Sequence, residues 1–89
     1  MNNYQLPIDG NWTTADIIAV STLVDDVLIA HEAGVDCQKI LADYQAFCQV
    51  IPAKSEQKAF DRDLAQQTGY SIYQTIKQAQ QTTRKQLHL

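Results

Sequence analysis

With 89 residues and 45% hydrophobic content, the chain makes one small globular domain whose thin core leaves little room for a deep substrate pocket. A formal net charge of −3 argues against a protein whose main business is neutralising phosphate. No apolar run reaches the ~18 residues of a membrane span, and MNNYQLPIDG lacks the basic and apolar parts of a signal peptide, so a cytoplasmic protein is expected.

Residues 1–12 read as an extended lead-in, in which Pro7 and Asp9-Gly10 form turns and Tyr4, Leu6, Ile8 and Trp12 offer apolar anchors. Thr13 is an N-cap with Asp16 at the capping-box position, and it opens a first helix over about Thr14 to Ala33. Its main stripe is Ile17, Val20, Leu23, Val24, Val27 and Leu28, at helical spacing. Ile18 and Ile29 lie on another side, in line with Thr22 and Asp25, so this helix either packs between two neighbours or presents a contact face. Gly34 closes it as a left-handed cap, and Gly34-Val35-Asp36 is short enough to make an antiparallel hairpin with the next helix.

That second helix runs from the N-cap Asp36 to Pro52. It carries one apolar stripe of Cys37, Ile40, Leu41, Tyr44, Phe47, Cys48 and Ile51. Pro52 ends it, because the residue before a proline is pushed out of the helical region. Glycine, apolar residue and capping residue recur at Gly69-Tyr70-Ser71, which sets a third helix, about Ala53 to Thr68, in a second hairpin with a fourth, about Ser71 to Gln86. Phe60 and Leu64 anchor the third with Ala53 and Ala59 in support; Ile72, Tyr73, Ile76 and Ala79 face inward on the fourth. The polar end, residues 80–89, is expected to fray. The two glycine turns are 35 residues apart, but the first stripe moved by that period falls on Pro52, Ser55, Ala59, Arg62 and Asp63, so the chain is not a repeat. The fold class is therefore all-α: a bundle of three to four helices in two antiparallel hairpins behind an extended lead-in.

Charge divides the chain. Residues 1–51 hold seven acids and the single base Lys39, a net −6, whereas residues 52–89 hold six bases and three acids, a net +3. Opposite halves attract when the chain folds back or when two copies meet.

No set of residues converges on a reaction. Cys37 and Cys48 are separated by roughly 16 Å along one helix, too far for a disulfide or a shared metal. Cys48 reads as a core thiol, and no base is demonstrably beside Cys37. His31 precedes Glu32 with no second histidine four residues on; near a helix C-terminus its protonated form is favoured as a cap. Asp25-Asp26 and Asp61 with Asp63 are too close in sequence to converge from one helix. No phosphate loop or activated serine is present, so no enzyme, metal or cofactor is expected. Leu64 to Ala79 scans like a helix-turn-helix whose second helix bears Gln74, Lys77, Gln78 and Gln81, followed by Arg84 and Lys85 to complete a basic stretch from Leu64 to Lys85. The positions where that motif carries apolar residues hold Thr75 and Gln78, so weak nucleic-acid binding through this basic half is the alternative reading. The leading one is a non-enzymatic interaction module, a homodimer or a docking partner for another protein. Its candidate surface is Ile18, Asp25, Ile29, Tyr70, Ser71 and Tyr73.

Several segments together resemble a family: Pro7-x-Asp9 with Trp12 and Thr13, Ala33-Gly34-Val35-Asp36, Leu41-x-x-Tyr44-x-x-Phe47, Val50-Ile51-Pro52-x-Lys54 and Gly69-Tyr70-Ser71-x-Tyr73. They resemble the small uncharacterised YktA-like family of low-GC Gram-positive bacteria over about Pro7 to Ala79. The resemblance implies a small all-helical cytoplasmic bacterial protein and carries over no activity, cofactor or site residue. The sequence departs from the family pattern at His31, where an aromatic is usual, and at Cys48, where a basic residue is usual, which implies a less buried Cys48 than its spacing suggests.

Overall fold

The structure, a computed structural model, describes residues 10–89. The lead-in, with its anchors Tyr4, Leu6 and Ile8 and the turn former Pro7, therefore lies outside the described residues, apart from its last three positions. Four helices follow in the expected order: α1 (Thr14–Glu32), α2 (Cys37–Val50), α3 (Lys54–Thr68) and α4 (Ile72–Gln81). Two short strands, β1 (Val35–Asp36) and β2 (Gln86–Leu87), make a minor antiparallel pair beside this all-α bundle.

Local chemistry sets the helix ends. Thr13 Oγ1 accepts from the Asp16 amide at 3.1 Å while Asp16 Oδ2 accepts from the Thr13 amide at 3.0 Å, a complete capping box. At the other end of α1 the chain reverses at Gly34, whose φ of +102° is a left-handed value that glycine adopts without strain. Its amide donates to the Ile29 carbonyl at 2.7 Å. Asp36 then caps α2 by accepting from the Lys39 amide at 3.1 Å. Past α2 the chain turns at Pro52, and the Ile51 carbonyl is held by Gln57 Nε2 at 2.6 Å. Gly69, at φ +82°, ends α3 with its amide on the Ala65 carbonyl.

The core joins Val20, Leu23, Val24 and Val27 of α1 to Ile40 and Phe47 of α2, Phe60 and Leu64 of α3, and Ile72, Ile76 and Ala79 of α4. Phe47 and Phe60 meet edge to face at 5.4 Å between centroids, which ties α2 to α3. α4 lies mainly against α2, with smaller contacts to α1 and α3. Two expectations change here. Ala53 and Ala59 are exposed, so Phe60 and Leu64 alone anchor α3. On α4 the inward face is Ile72, Thr75, Ile76 and Ala79, a spacing of three, one and three, and Tyr73 is turned outward from it. Burial of Thr75 is tolerated because its hydroxyl donates to the Ser71 carbonyl one turn back, at 2.7 Å.

The tail corrects the sequence reading most clearly. α4 stops at Gln81 rather than continuing to Gln86, and the last residues dock instead of fraying. Val35 faces Leu87 and Asp36 faces Gln86 in the strand pair. The Cys37 amide donates to the Lys85 carbonyl and the Leu89 amide to the Ala30 carbonyl, both at 2.8 Å. These two bonds serve a first-turn N–H of α2 and a last-turn carbonyl of α1, groups that no helix can satisfy internally. Leu87 is buried against the core. Leu87→Ala is expected to lower stability by about 2 kcal/mol; urea unfolding that leaves the midpoint unchanged would show a tail that contributes nothing.

Candidate functional site

The outward side of α1 is one of two solvent-facing surfaces of the bundle. Because the inward side is fixed by Val20, Leu23, Val24 and Val27, residues 18, 22, 25 and 29 are left along the opposite flank of the same helix. Ile18 is 59% exposed and Ile29 42% exposed, while Asp25 is exposed and Thr22 half-buried between them. Packing between two neighbours, one of the two expectations for this helix, is therefore not what the fold does with it.

The Gly69 turn divides the remaining candidates. The Tyr70 ring stacks on His31 at 4.0 Å between centroids and 5° between planes, so it is a contact within the fold that joins the turn to α1. Ser71 accepts from the Gln74 amide at 3.2 Å and donates to Asp61 Oδ2 at 2.9 Å, which commits its hydroxyl to the start of α4. Only Tyr73 of this group is free to meet a partner, with its side 63% exposed. His31 also differs from expectation. Burial pushes its imidazole below the ordinary value, so the ring is neutral rather than a protonated cap. Since the Thr75 proton is used on the Ser71 carbonyl, His31 Nε2–H donates to Thr75 Oγ1 at 3.3 Å.

The second surface is a groove of about 710 Å³ between α2, α3 and the first turn of α4. Lys54, Lys58 and Arg62 form one wall at intervals of four residues on α3, and Tyr44, Phe47, Ile72 and Tyr73 form the other. Asp61 is the one acid that lines it among the described residues. Its Oδ1 accepts from the Ile72 amide at 2.6 Å and its Oδ2 from the Tyr73 amide at 3.3 Å, in addition to the Ser71 hydroxyl. A carboxylate at a helix N-terminus is favoured by the helix dipole, and its charge is used there. Burial, then the neighbouring Cys48 thiol, pushes the Tyr44 phenol up to about 12, which keeps it a hydroxyl donor.

Elsewhere the titratable groups serve the fold. Lys39 Nζ bridges Asp26 Oδ1 at 2.9 Å and Asp43 Oδ2 at 2.8 Å. Asp26 is buried, its Oδ2 has no partner, and burial with Asp43 beside it pushes its carboxyl up to about 6 against the lowering effect of Lys39. The neighbouring Asp26 carboxyl, together with Lys39, holds Asp43 below the ordinary range against the raising effect of burial. Spacing sets Asp25 in line with Ile18 and Ile29 but gives Asp26 no partner; the fold buries Asp26 on α1 against Lys39. Of the cysteines, both free thiols, Cys37 is buried with the apolar stripe it belongs to, whereas Cys48 is half-buried, less buried than the core thiol its spacing suggests. The helix-turn-helix comparison also shifts: Thr75 is buried despite its hydroxyl, while Gln78 is exposed. No group of three His, Cys, Asp or Glu side chains gathers as a metal site among the described residues. No helix among them is long and apolar enough to cross a membrane.

These features define a small all-α protein with two solvent-facing surfaces and an internal ion-pair network. Residues 3–88 match the uncharacterised protein family UPF0223, and the chain belongs to that family. It is 44% identical over 84 residues to a UPF0223 protein of Lactiplantibacillus plantarum, covering 94% of this chain and 87% of the relative. A UPF0223 protein of Oceanobacillus iheyensis is 36% identical over 87 residues, 98% of this chain and 99% of its own length. One from Streptococcus gordonii is 33% identical over 87 residues, 98% and 95% of the respective chains. The low-GC Gram-positive family indicated by the Gly-Tyr-Ser-x-Tyr and Ala-Gly-Val-Asp segments is thus the right one.

Proposed function

We infer that the chain is a non-enzymatic helical interaction module of the cytoplasm that acts through the outward side of α1, with a second copy as its first partner. The observation that supports this reading is the exposure of Ile18 and Ile29 on a helix whose other side is the centre of the core. Their spacing has a symmetry. Two such helices laid antiparallel about their common midpoint bring Ile18 opposite Ile29 and Thr22 opposite Asp25, so apolar meets apolar and no carboxylate meets its own copy. A two-fold axis requires this kind of self-complementary patch. The stripe spans about 16 Å along the helix, enough to seed a contact that flanking residues enlarge.

The absence of a reaction in this reading rests on how the polar groups are used. Asp61, His31, Lys39 and Asp26 are each engaged in capping, stacking or ion pairing within the bundle. Sedimentation equilibrium over about 1–200 µM protein is expected to show a monomer–dimer equilibrium. Ile29→Glu is expected to raise the dissociation constant at least about tenfold with an unchanged circular dichroism spectrum, because it places a charge opposite an isoleucine. A wild-type chain that stays monomeric throughout that range would remove the homodimer.

A further inference from the structure

We propose that the groove between α2, α3 and α4 is a docking site for an extended acidic peptide of another protein, one whose acids recur at every second residue. The proposal shares with the preceding section the reading of the chain as an interaction module, and it uses none of the α1 surface.

Three observations carry it. The first is charge. Lys54, Lys58 and Arg62 are exposed along one wall, and the ion pairs among the described residues involve Lys39 alone, so none of the three has an acid partner there. Asp61, the acid in the groove, is held by the amides and hydroxyl at the start of α4. The field at this wall is positive although the chain as a whole carries −3.

The second is spacing. Cations four residues apart on a helix recur about every 6 Å along its axis. Alternate side chains of an extended peptide recur about every 6.8 Å on one side of the strand. Over three contacts the two rulers drift by less than about 2 Å, within the reach of lysine and arginine side chains. The intervening side chains of such a peptide point the other way, toward the half-buried Tyr44 and the exposed Tyr73, with the core residues Phe47 and Ile72 beneath them. A sequence of acid, apolar, acid, apolar, acid satisfies both walls at once.

The third observation selects among polyanions. α2 lines the groove, and α1, which packs on α2, carries Asp16, Asp25 and Glu32 of the acidic half, residues 1–51 with net −6. A phosphate backbone long enough to run past α2 meets those acids and is repelled, whereas a five-residue peptide does not reach them. A second copy of this chain does not supply the occupant either. Its acids stand at 9, 16, 25, 26, 32, 36, 43, 56, 61 and 63, and no three of them occupy alternate positions.

Fluorescence anisotropy with a labelled Asp-Leu-Asp-Leu-Asp peptide, flanked by Gly-Ser, tests this on the full chain. Saturable binding is expected at 50 mM salt, weakening as salt rises toward about 500 mM. Lys58→Glu, an exposed substitution in the middle of the ladder, is expected to weaken it about tenfold with an unchanged melting temperature. A peptide of the same composition with its three aspartates contiguous is expected to bind at least about threefold more weakly, because only one side chain in two faces α3. Equal binding of the contiguous peptide, tighter binding of a labelled oligothymidylate, or indifference to Lys58→Glu each overturns the proposal. Ile29→Glu is expected to leave peptide binding unchanged. Loss of peptide binding alone therefore sinks the groove, and loss of self-association alone sinks the α1 reading.

Discussion

Lys39→Met is expected to destabilise the fold by about 3 kcal/mol at pH 7.5 and by less than about 1 kcal/mol at pH 4.5. Among the described residues Lys39 is the only cation on Asp26, a carboxylate with 3% of its side chain exposed and one oxygen unpartnered. Removing the cation leaves a buried charge with nothing to offset its desolvation, the situation in which ion-pair mutations are most damaging. The ammonium itself is 54% exposed, which places the effect at the low end of the range for buried pairs. The pH dependence follows from the direction of the shift. The Asp26 carboxyl sits at about 6 in the folded chain against an ordinary 3.8, so the native state binds this proton more tightly than the unfolded state does. Stability from this group is greatest below the unfolded value and is lost as pH rises through the folded one, between about 4 and 6. Asp43 has the opposite sign, because its carboxyl lies below the ordinary value. Its contribution is present above the unfolded value and is lost on acidification through its lower folded value, outside that window. Lys39→Met raises the Asp26 carboxyl further and steepens the slope, whereas Asp26→Asn removes the slope and is tolerated at pH 7.5. Urea unfolding at pH 4.5, 6 and 7.5 reads all three. A loss in Lys39→Met that is the same at every pH would mean that the lysine acts through its packed stem and not its charge.

What the sequence made legible was whatever depends on neighbours along the chain. The capping box at Thr13, the glycine reversals at 34 and 69, the Asp36 cap and the stop at Pro52 are each decided within a few residues, and each lies where the pattern placed it. Apolar stripes likewise identified the inward sides of α1 and α2 and the two anchors Phe60 and Leu64 of α3, because burial at helical period leaves a mark in composition. The misses share a cause. The tail pairs with β1 across some 50 residues, and QL is too short a strand to carry any periodicity of its own. Thr75 is buried because its hydroxyl finds a carbonyl one turn away, which hydrophobic pattern cannot count. Asp26 reads as one of two adjacent solvated acids until α2 brings Lys39 beside it. The groove is of the same kind. Its cationic wall is visible as Lys54, Lys58 and Arg62 at intervals of four, but its apolar wall comes from two other helices. Ser71 marked itself as a cap, yet nothing local announced that Asp61, ten residues earlier, would share that task.

Asp61→Ala is accordingly expected to cost about 3 kcal/mol, the other large effect in this fold. Two amides at the start of α4 and the Ser71 hydroxyl lose a charged acceptor together, at an end of the helix where no intrahelical bond can replace it. Ser71 still accepts from the Gln74 amide, so one cap remains and α4 loosens at its first turn without melting outright. Asp61→Asn keeps an acceptor and the shape while removing the charge, and is expected to lose about 1 kcal/mol. The two properties then move in opposite directions in the asparagine variant. It is less stable, yet it removes the negative charge from a groove walled by Lys54, Lys58 and Arg62, so the alternating acidic peptide is expected to bind about threefold more tightly. Thermal melting and peptide anisotropy on the same sample separate the two. If stability and affinity fall together, Asp61 holds the groove open by anchoring α4, and shape rather than net charge sets what it binds. If affinity rises while the melting temperature falls, the carboxylate serves the helix at the expense of the site, and the three cations of α3 are what the partner reads.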